Sequence, residues 1–169
     1  ADKYNRRVYE VPVGFKHVCE KMLAADILIG GEESGGFGYK GHIPERDGIL
    51  SILLVLEMLA MKKTTLSEKV KDLRNIYGPF HYKRIDQHCD IAKVKRNLDE
   101  LMKNPPASIA NYKIKRKNTI DGLKIYFTNR HWVLIRLSQT EPLFRIYCGG
   151  PDETSVTEII TATKKILTK

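Results

Sequence analysis

The 169-residue sequence contains little cysteine and no long apolar run. Its three cysteines, Cys19, Cys89 and Cys148, are far apart and odd in number, which argues against a disulfide framework or a zinc site. The longest apolar run, residues 49–61, is interrupted by a serine and a glutamate and is shorter than the roughly 20 residues that cross a bilayer. No signal-peptide pattern opens the sequence. These absences predict a globular protein of the reducing cytoplasm without a membrane partner.

Acidic residues are scarce in the second half of the chain. The formal net charge is +9. Residues 1–79 hold 12 Lys and Arg against 11 Asp and Glu, whereas residues 80–169 hold 17 against 9. The basic excess of the second half favours an anionic partner, such as a phosphate ester, a nucleic acid or an acidic surface.

The first half alternates short apolar strands with helical patterns, which indicates an α/β fold with too few strands for a full sheet. Helical spacing begins at Phe15, and the segment DILIGG at 26–31 predicts a short buried strand. Asp47 is a candidate N-cap for a helix over 48–63. That helix is apolar on nearly all sides, so we expect it to be deeply buried. An amphipathic helix follows and ends at Gly78.

The second half indicates an α+β fold, an antiparallel sheet with helices on one face. Pro79 marks the boundary, so the predicted domains are residues 1–79 and 80–169. A strand is predicted over 81–89 and a helix after Asp90, a candidate N-cap. Further strands are predicted over 112–120, 122–129, 131–137 and 143–150, and a closing helix over 152–167.

The segment RLSQTEPLFR, between the last two predicted strands, is a candidate phosphate site. Arg136 and Arg145 flank a loop that contains Ser138 and Thr140. Two guanidinium groups, two hydroxyls and the backbone N–H groups of the loop are suitable donors for a phosphate dianion. The alternative is an ordinary polar hairpin with two surface arginines. No base–nucleophile pair is present, so the segment indicates binding and not a reaction centre.

The segment GGEESGGFG, after the strand at 26–31, is a candidate sugar site. Glycine-rich turns after strands commonly hold phosphate, but Glu32 and Glu33 would repel it. Carboxylates accept strong hydrogen bonds from hydroxyl groups, so this loop suits a polyhydroxyl ligand. The alternative is a flexible acidic surface turn.

Four segments, VPVGFK, GGEESGG, HIPERDGIL and RLSQTEPLFRIY, occur in this order over almost the whole chain. Together they closely resemble the C-terminal part of the α-D-phosphohexomutases, the phosphoglucomutase/phosphomannomutase family. The resemblance implies that residues 1–79 form a partial three-layer α/β domain, the family's third domain without its first strand and helix. Residues 80–169 would form the fourth, an α+β domain similar to the TATA-binding protein.

The resemblance also implies a divided binding site. Glu32 and Ser34 would contact sugar hydroxyls, and Gly31 and Glu33 would shape their loop. Three residues of matching segments, Lys16, His42 and Arg46, would also belong to the sugar site. The phosphate loop would comprise Arg136, Ser138, Gln139, Thr140 and Arg145. Gln139 stands where the family has glycine, which allows closer approach of the backbone, so a Gln139→Gly variant is expected to bind phosphate more tightly.

The family reaction interconverts hexose 1-phosphate and hexose 6-phosphate. A phosphoserine donates its phosphate, hexose 1,6-bisphosphate forms and turns round, and Mg²⁺ neutralises the transferring charge. The phosphoserine and magnesium loops belong to the family's first two domains, and this sequence has no Asp-Gly-Asp-x-Asp pattern. The chain therefore has no predicted catalytic or metal-binding residue. We expect hexose phosphate and the N-terminal domains of the same enzyme as its partners, and no activity or bound cofactor in the chain alone.

The basic segment KIKRK at 113–117, with Tyr112, Tyr126, Phe127 and Trp132 near it, permits another interpretation. It could form a nucleic-acid surface, and the chain could be a basic binding module for nucleic acid or a protein on a mutase-derived scaffold. An alternating Lys/Ile run is more often the solvated face of a strand, with Ile114 directed inward. Nucleic acid is therefore the less favoured partner.

Overall fold

The chain folds as two units, Ala1–Val70 and Lys71–Lys169. The computed structural model describes residues 1–138 and 140–169, so Gln139 lies outside the described residues. None of the helices formed by the described residues is long and apolar enough to span a bilayer. The predicted domain boundary between residues 79 and 80 stays a prediction.

The first unit contains helices and a short hairpin. After a 3-10 turn at Asp2–Tyr4, its elements are α1 (Phe15–Ala24), β1 (Ile29–Gly31), β2 (Phe37–Tyr39) and α2 (Gly48–Lys62), and α3 (Leu66–Tyr77) begins in it. β1 and β2 pair antiparallel, with Gly30 opposite Gly38. The strand β2 was not predicted, because it is three residues long and lies inside the glycine-rich segment. Phe15 and Val18 of α1 are buried.

Helix α2 begins where the sequence predicts, because Asp47 Oδ1 accepts a hydrogen bond from the Leu50 N–H at 2.8 Å. The expectation that α2 is deeply buried is wrong. None of its side chains is buried, and Ile49 and Ile52 are 77% and 63% exposed. The expectation that the strand at 26–31 is buried is also wrong, since Ile29 is 52% exposed. Apolar pattern alone does not bury a side chain, and in the first unit the described elements do not cover α2 or β1.

The second unit is a six-stranded antiparallel sheet with helices on one face, which confirms the α+β prediction. Its elements are β3 (His81–His88), α4 (Ile91–Lys103), β4 (Ser108–Ile109), β5 (Tyr112–Asn118), β6 (Leu123–Phe127), β7 (Trp132–Leu137), β8 (Leu143–Gly150) and α5 (Glu153–Thr168). The strand order is β3-β8-β7-β6-β5-β4. The core between the sheet and the helices includes Leu98, Phe144, Ile146 and Ile159. Ile114 packs against this core, as predicted, while Lys113 and Lys115 are exposed.

His131, just before β7, is a buried titratable group that packs against the N-terminal end of α5. Its side chain is 3% exposed, and its Nε2 lies 2.8 Å from Ser155 Oγ and 4.0 Å from Asp152 Oδ2. The Tyr112 ring packs 4.8 Å from the imidazole. Burial lowers the pKa of His131 below its ordinary value of 6.5, and this effect outweighs the opposing attraction of the Asp152 carboxylate.

We expect His131 to make the second unit less stable in mild acid. Because its folded pKa is depressed, the unfolded chain binds more protons between that value and 6.5. The free energy of unfolding should therefore fall as the pH drops below about 6.5. His131→Gln, which lacks this titration, should flatten the slope. Urea unfolding followed by circular dichroism at pH 7.5 and 5.5 tests this, and an unchanged slope in His131→Gln would contradict it.

Candidate functional site

The glycine-rich segment forms the turn of the β1–β2 hairpin. The Glu32 N–H donates to the Gly36 carbonyl at 3.0 Å, and the Gly35 N–H donates to the Glu32 carbonyl at 3.1 Å. Gly35 has φ of +92°, a conformation that favours glycine. The side chains of Glu33 and Ser34 are exposed on the turn. A ligand can therefore approach a carboxylate and a hydroxyl at this end of the hairpin.

The Glu32 carboxylate lies inside the loop and holds it. Its side chain is 12% exposed, and its Oε1 accepts a hydrogen bond from the Gly14 N–H at 2.9 Å. Its Oε2 lies 3.8 Å from Arg46 Nη1. A carboxylate has about four acceptor positions, so Glu32 can fix the loop and still accept a hydroxyl hydrogen bond. Gly14, which was not among the predicted site residues, precedes α1 and thus joins that helix to the loop.

Arg46 lies across the hairpin. Its guanidinium is 5.4 Å from the centroid of the Phe15 ring, and a Cβ at Gly36 would be only 2.4 Å from its Cδ. Gly36 therefore leaves the space that Arg46 occupies. The structure brings Arg46 and Glu32 together, and their assignment to a sugar site stays a prediction.

His42 and Lys16 are placed differently from Arg46. His42 Nε2 lies 2.9 Å from Asp47 Oδ2, the carboxylate that caps α2. The hydrogen bond from the Leu50 N–H has the largest effect on Asp47 and that from His42 the second largest. Both lower the pKa of Asp47, which keeps this carboxylate charged. Lys16 is exposed in the first turn of α1, two residues after Gly14. The assignments of His42 and Lys16 to the sugar site stay predictions.

The second candidate loop connects β7 to β8. The Ser138 N–H donates to the Leu143 carbonyl at 2.9 Å. Ser138 Oγ accepts long hydrogen bonds from the N–H groups of Glu141, at 3.2 Å, and Thr140, at 3.4 Å. Because these bonds are long, a phosphate oxygen could replace them with shorter charge-assisted bonds. Thr140 is exposed, and the predicted phosphate contact of Gln139 lies outside the described residues.

Arg136 and Arg145 lie directly opposite each other on β7 and β8, next to this loop. Their side chains are 20% and 26% exposed. Arg136 Nε lies 2.9 Å from Asp121 Oδ2, and Arg145 Nε lies 3.2 Å from Asp86 Oδ2. Opposed residues of an antiparallel pair share one face of the sheet, so the two guanidinium groups project together. This geometry concentrates positive charge at one end of the hairpin.

The guanidinium of Arg136 stays charged although it is largely buried. Burial lowers its pKa, but Asp121 and the Tyr147 hydroxyl raise it, and the net pKa is above the ordinary value. The Arg136 Nε–H has no well-aligned acceptor, so the contact with Asp121 is an ion pair by distance and not a linear hydrogen bond. Asp121 and Asp86 were missed in the sequence analysis, because cross-strand register and turn geometry decide which acids meet these arginines.

Two family models match most of the chain. Residues 1–77 match the description "Phosphoglucomutase/phosphomannomutase, alpha/beta/alpha domain III". Residues 90–166 match "Phosphoglucomutase/phosphomannomutase, C-terminal domain". The chain belongs to the phosphoglucomutase/phosphomannomutase family. Both predicted loops fall within these matches, and the mixed α/β and α+β fold is the one expected for domains III and IV.

Similar proteins are full mutases of several organisms. The chain is 32% identical over 165 residues to the phosphoglucosamine/phosphogalactosamine mutase of Sulfurisphaera tokodaii, covering 98% of this chain and 34% of that protein. It is 31% identical over 170 residues to the phosphoglucomutase/phosphomannomutase of Thermococcus kodakarensis, covering 99% and 34%. The crystal structure of a putative phosphomannomutase from Thermus thermophilus matches with a TM-score of 0.69 and 34% identity, covering 92% of this chain and 30% of that one. The chain thus spans about a third of the length of these relatives.

Proposed function

We propose that this chain is the substrate-recognition portion of an enzyme that interconverts hexose 1-phosphate and hexose 6-phosphate by intramolecular phosphotransfer. The observation that carries the proposal is the opposed pair of Arg136 and Arg145 beside Ser138. Two guanidinium groups and a hydroxyl are donors that suit the oxygens of a phosphate dianion. Family membership supplies the reaction class, since the relatives are mutases of sugar phosphates.

The two loops divide the recognition between them. The loop of Arg136 and Arg145 holds the phosphate that is not reacting, which positions the sugar for transfer at its other end. The hairpin of Glu32, Glu33 and Ser34 offers acceptors and a hydroxyl to sugar hydroxyl groups. Hydroxyl contacts suit a hexose bisphosphate that has to bind in two orientations, because hydroxyls are present towards both ends of the ring. Lys16, His42 and Arg46 complete the sugar site of this hairpin.

The transfer chemistry is assigned to other parts of the enzyme. Among the described residues, no group of three or more His, Cys, Asp or Glu side chains is placed to hold a metal ion. No step is therefore assigned to a metal on this chain. In the whole cytoplasmic enzyme, Mg²⁺ would neutralise charge on the transferring phosphoryl group, next to the phosphoserine of the N-terminal domains.

The exposed apolar stripe of α2 supports the N-terminal part of the same enzyme as a partner. Ile49, Ile52, Leu53 and Leu56 lie on one side of the helix and are each more than half exposed. Large exposed apolar surfaces generally mark an interface. The family match is to an alpha/beta/alpha domain, in which helices cover a sheet, so we infer that further strands of this domain cover α2 in the longer protein.

We expect polar substitutions in this stripe to improve the behaviour of the isolated chain. Ile52→Gln with Leu56→Gln should reduce self-association and binding of the dye ANS, because both side chains already face water. Their effect on the free energy of unfolding should stay within about 0.5 kcal/mol, as for other surface substitutions. Light scattering measures the self-association, and thermal unfolding measures the change in stability. The control Ile159→Gln, at a fully buried site, should unfold the second unit. Unchanged association in the double variant would contradict the assignment.

The geometry of the aromatic residues disfavours the nucleic-acid interpretation. The Arg116 guanidinium lies 3.5 Å from the Tyr126 ring centroid, and Lys124 lies 4.7 Å from that of Trp132. Phe127 is buried in the core, and Tyr112 packs against His131. Base stacking needs exposed aromatic faces, and the chain's own side chains occupy these faces.

NMR titration of the isotope-labelled chain tests the proposed function. Glucose 1-phosphate should shift the signals of residues 31–34 and 136–145, whereas inorganic phosphate should shift only residues 136–145. Glucose should affect only residues 31–34, and weakly. Absence of all these shifts, together with salt-dependent binding of arbitrary single-stranded DNA, would contradict the proposal and favour the basic binding module.

A further inference from the structure

The two phosphate-loop arginines belong to a row of four charges across the second unit's sheet. Asp86 of β3 lies opposite Arg145 of β8, and Arg145 lies opposite Arg136 of β7. Asp121, just before β6, lies next to Arg136 and ends the row. Like charges directly opposite each other are unfavourable, so the arginine pair needs the acids that flank it. The order of the row is acid, arginine, arginine, acid.

Each acid contacts the Nε atom of its own arginine. Asp121 Oδ2 lies 2.9 Å from Arg136 Nε, and Asp86 Oδ2 lies 3.2 Å from Arg145 Nε. A guanidinium has five N–H donors in a rigid plane, so a carboxylate at Nε fixes the plane and leaves terminal Nη donors for a second anion. One terminal nitrogen of Arg145 is also 3.8 Å from Glu141 Oε2 in the loop itself.

Each acid is in turn fixed by the fold. Arg84 binds both carboxylate oxygens of Asp86, at 2.8 Å and 2.9 Å, and its guanidinium lies 5.4 Å from the Tyr147 ring centroid. Asp121 precedes Gly122, which has φ of +75°. A Cβ at Gly122 would be 2.2 Å from the Ile135 carbonyl oxygen, so only glycine permits the turn that brings Asp121 to Arg136.

We propose that Asp86 and Asp121 are positioning residues that orient Arg145 and Arg136 for the phosphate group of the substrate. The inference rests on the proposed function, because it assigns the second anion at these arginines to a sugar phosphate. An ordered arginine loses less conformational freedom on binding, and each ordered long side chain contributes to affinity. The acids also reduce the local positive charge, which by itself would weaken binding of a phosphate. If positioning dominates, removal of an acid should weaken phosphate binding. If the local charge dominates, the same removal should strengthen it.

Asparagine and alanine variants separate these two effects. Asp121→Asn keeps an oxygen at the position of Asp121 Oδ2, 2.9 Å from Arg136 Nε, and removes the charge, whereas Asp121→Ala removes both. With positioning, Asp121→Ala should bind glucose 1-phosphate about 3- to 10-fold more weakly, the cost of ordering one long side chain. Asp121→Asn should bind at least as tightly as the wild type. The same pair of substitutions at Asp86 should give the same order, and Asp99→Ala, on the exposed surface of α4, is the control for charge.

The NMR signals of the Nε–H groups of Arg136 and Arg145 are recorded in the same variants without ligand. With positioning, each signal is separate and slowly exchanging in the wild type and in the Asn variants, and it collapses towards the free-arginine position in the Ala variants. Equal tightening in Asn and Ala variants, or unchanged Nε–H signals in the Ala variants, would overturn the inference. If the wild type keeps ordered Nε–H signals but binds neither glucose 1-phosphate nor inorganic phosphate, the proposed function fails, and so does the assignment of the second anion.

Discussion

Replacing Arg136 with alanine is expected to weaken glucose 1-phosphate binding by about 10- to 100-fold. Hydrogen bonds to charged groups contribute about 1.5–3 kcal/mol each, and Arg136 lies largely buried beside the loop, where water screens its charge less than at an exposed site. Arg136→Lys should recover only part of the affinity. A lysine ammonium is a point charge and cannot present the planar set of donors that contacts Asp121 and a phosphate together.

The matched control for Arg136 lies on the same sheet. Arg116 of β5 is exposed and stacks on Tyr126. Arg116→Ala removes the same charge and should change the affinity by less than about 2-fold, since exposed charges act weakly over a distance beyond the Debye length. Isothermal titration calorimetry at fixed ionic strength measures both variants. Equal losses in Arg116→Ala and Arg136→Ala would mean that general positive charge, and not the loop, attracts the phosphate.

The isolated chain is expected to interconvert glucose 1-phosphate and glucose 6-phosphate at least about 10⁴-fold more slowly than a full-length relative. Phosphoryl transfer is accelerated mainly by positioning and by charge stabilisation at the transferring group, and enzymes lower such barriers by many kcal/mol. The proposed function gives this chain the binding of the non-reacting phosphate and of the sugar, but not the phosphoryl donor. Binding energy without a positioned donor does not accelerate the chemical step.

A coupled assay that detects glucose 6-phosphate measures this rate. The full-length Thermococcus kodakarensis relative is the positive control, and Arg136→Ala of the present chain is the control for contaminating mutase. Turnover that rises in proportion to the concentration of the chain and disappears in Arg136→Ala would contradict the expected inactivity. Turnover that is the same in both preparations would come from a contaminant.

Local signals in the sequence predicted the elements of the second unit and the helix caps. Asp47 and Asp90 cap the helices that were assigned to them, because their side chains accept hydrogen bonds from N–H groups three residues later. The alternating strands β3 and β5 to β8 were also predicted, since their inward residues meet one core. The two-residue strand β4 is too short to carry a periodic signal.

Features that depend on distant residues could not be predicted from local patterns. The predicted burial of α2 was wrong. An apolar sequence shows that a helix can pack against other apolar residues, but it does not show whether the chain places such residues against the helix. The bond between Gly14 and Glu32 joins residues 18 positions apart, and the contact of Arg145 with Asp86 joins residues 59 positions apart. The segment RLSQTEPLFR itself pointed to the arginines of the predicted phosphate loop, but only the register of β3, β8 and β7 reveals the acids beside them.

The phosphorus NMR spectrum of glucose 1-phosphate mixed with the chain tests whether the chain binds its substrate without reacting with it, because one spectrum reports both binding and reaction. We expect the glucose 1-phosphate signal to shift and broaden with the wild-type chain, and we expect this change to be largely lost with Arg136→Ala. No glucose 6-phosphate signal should grow during incubation. A glucose 1-phosphate signal that is unaffected by the wild-type chain would contradict substrate binding, and a glucose 6-phosphate signal that grows with the wild-type chain and not with Arg136→Ala would contradict the expected inactivity.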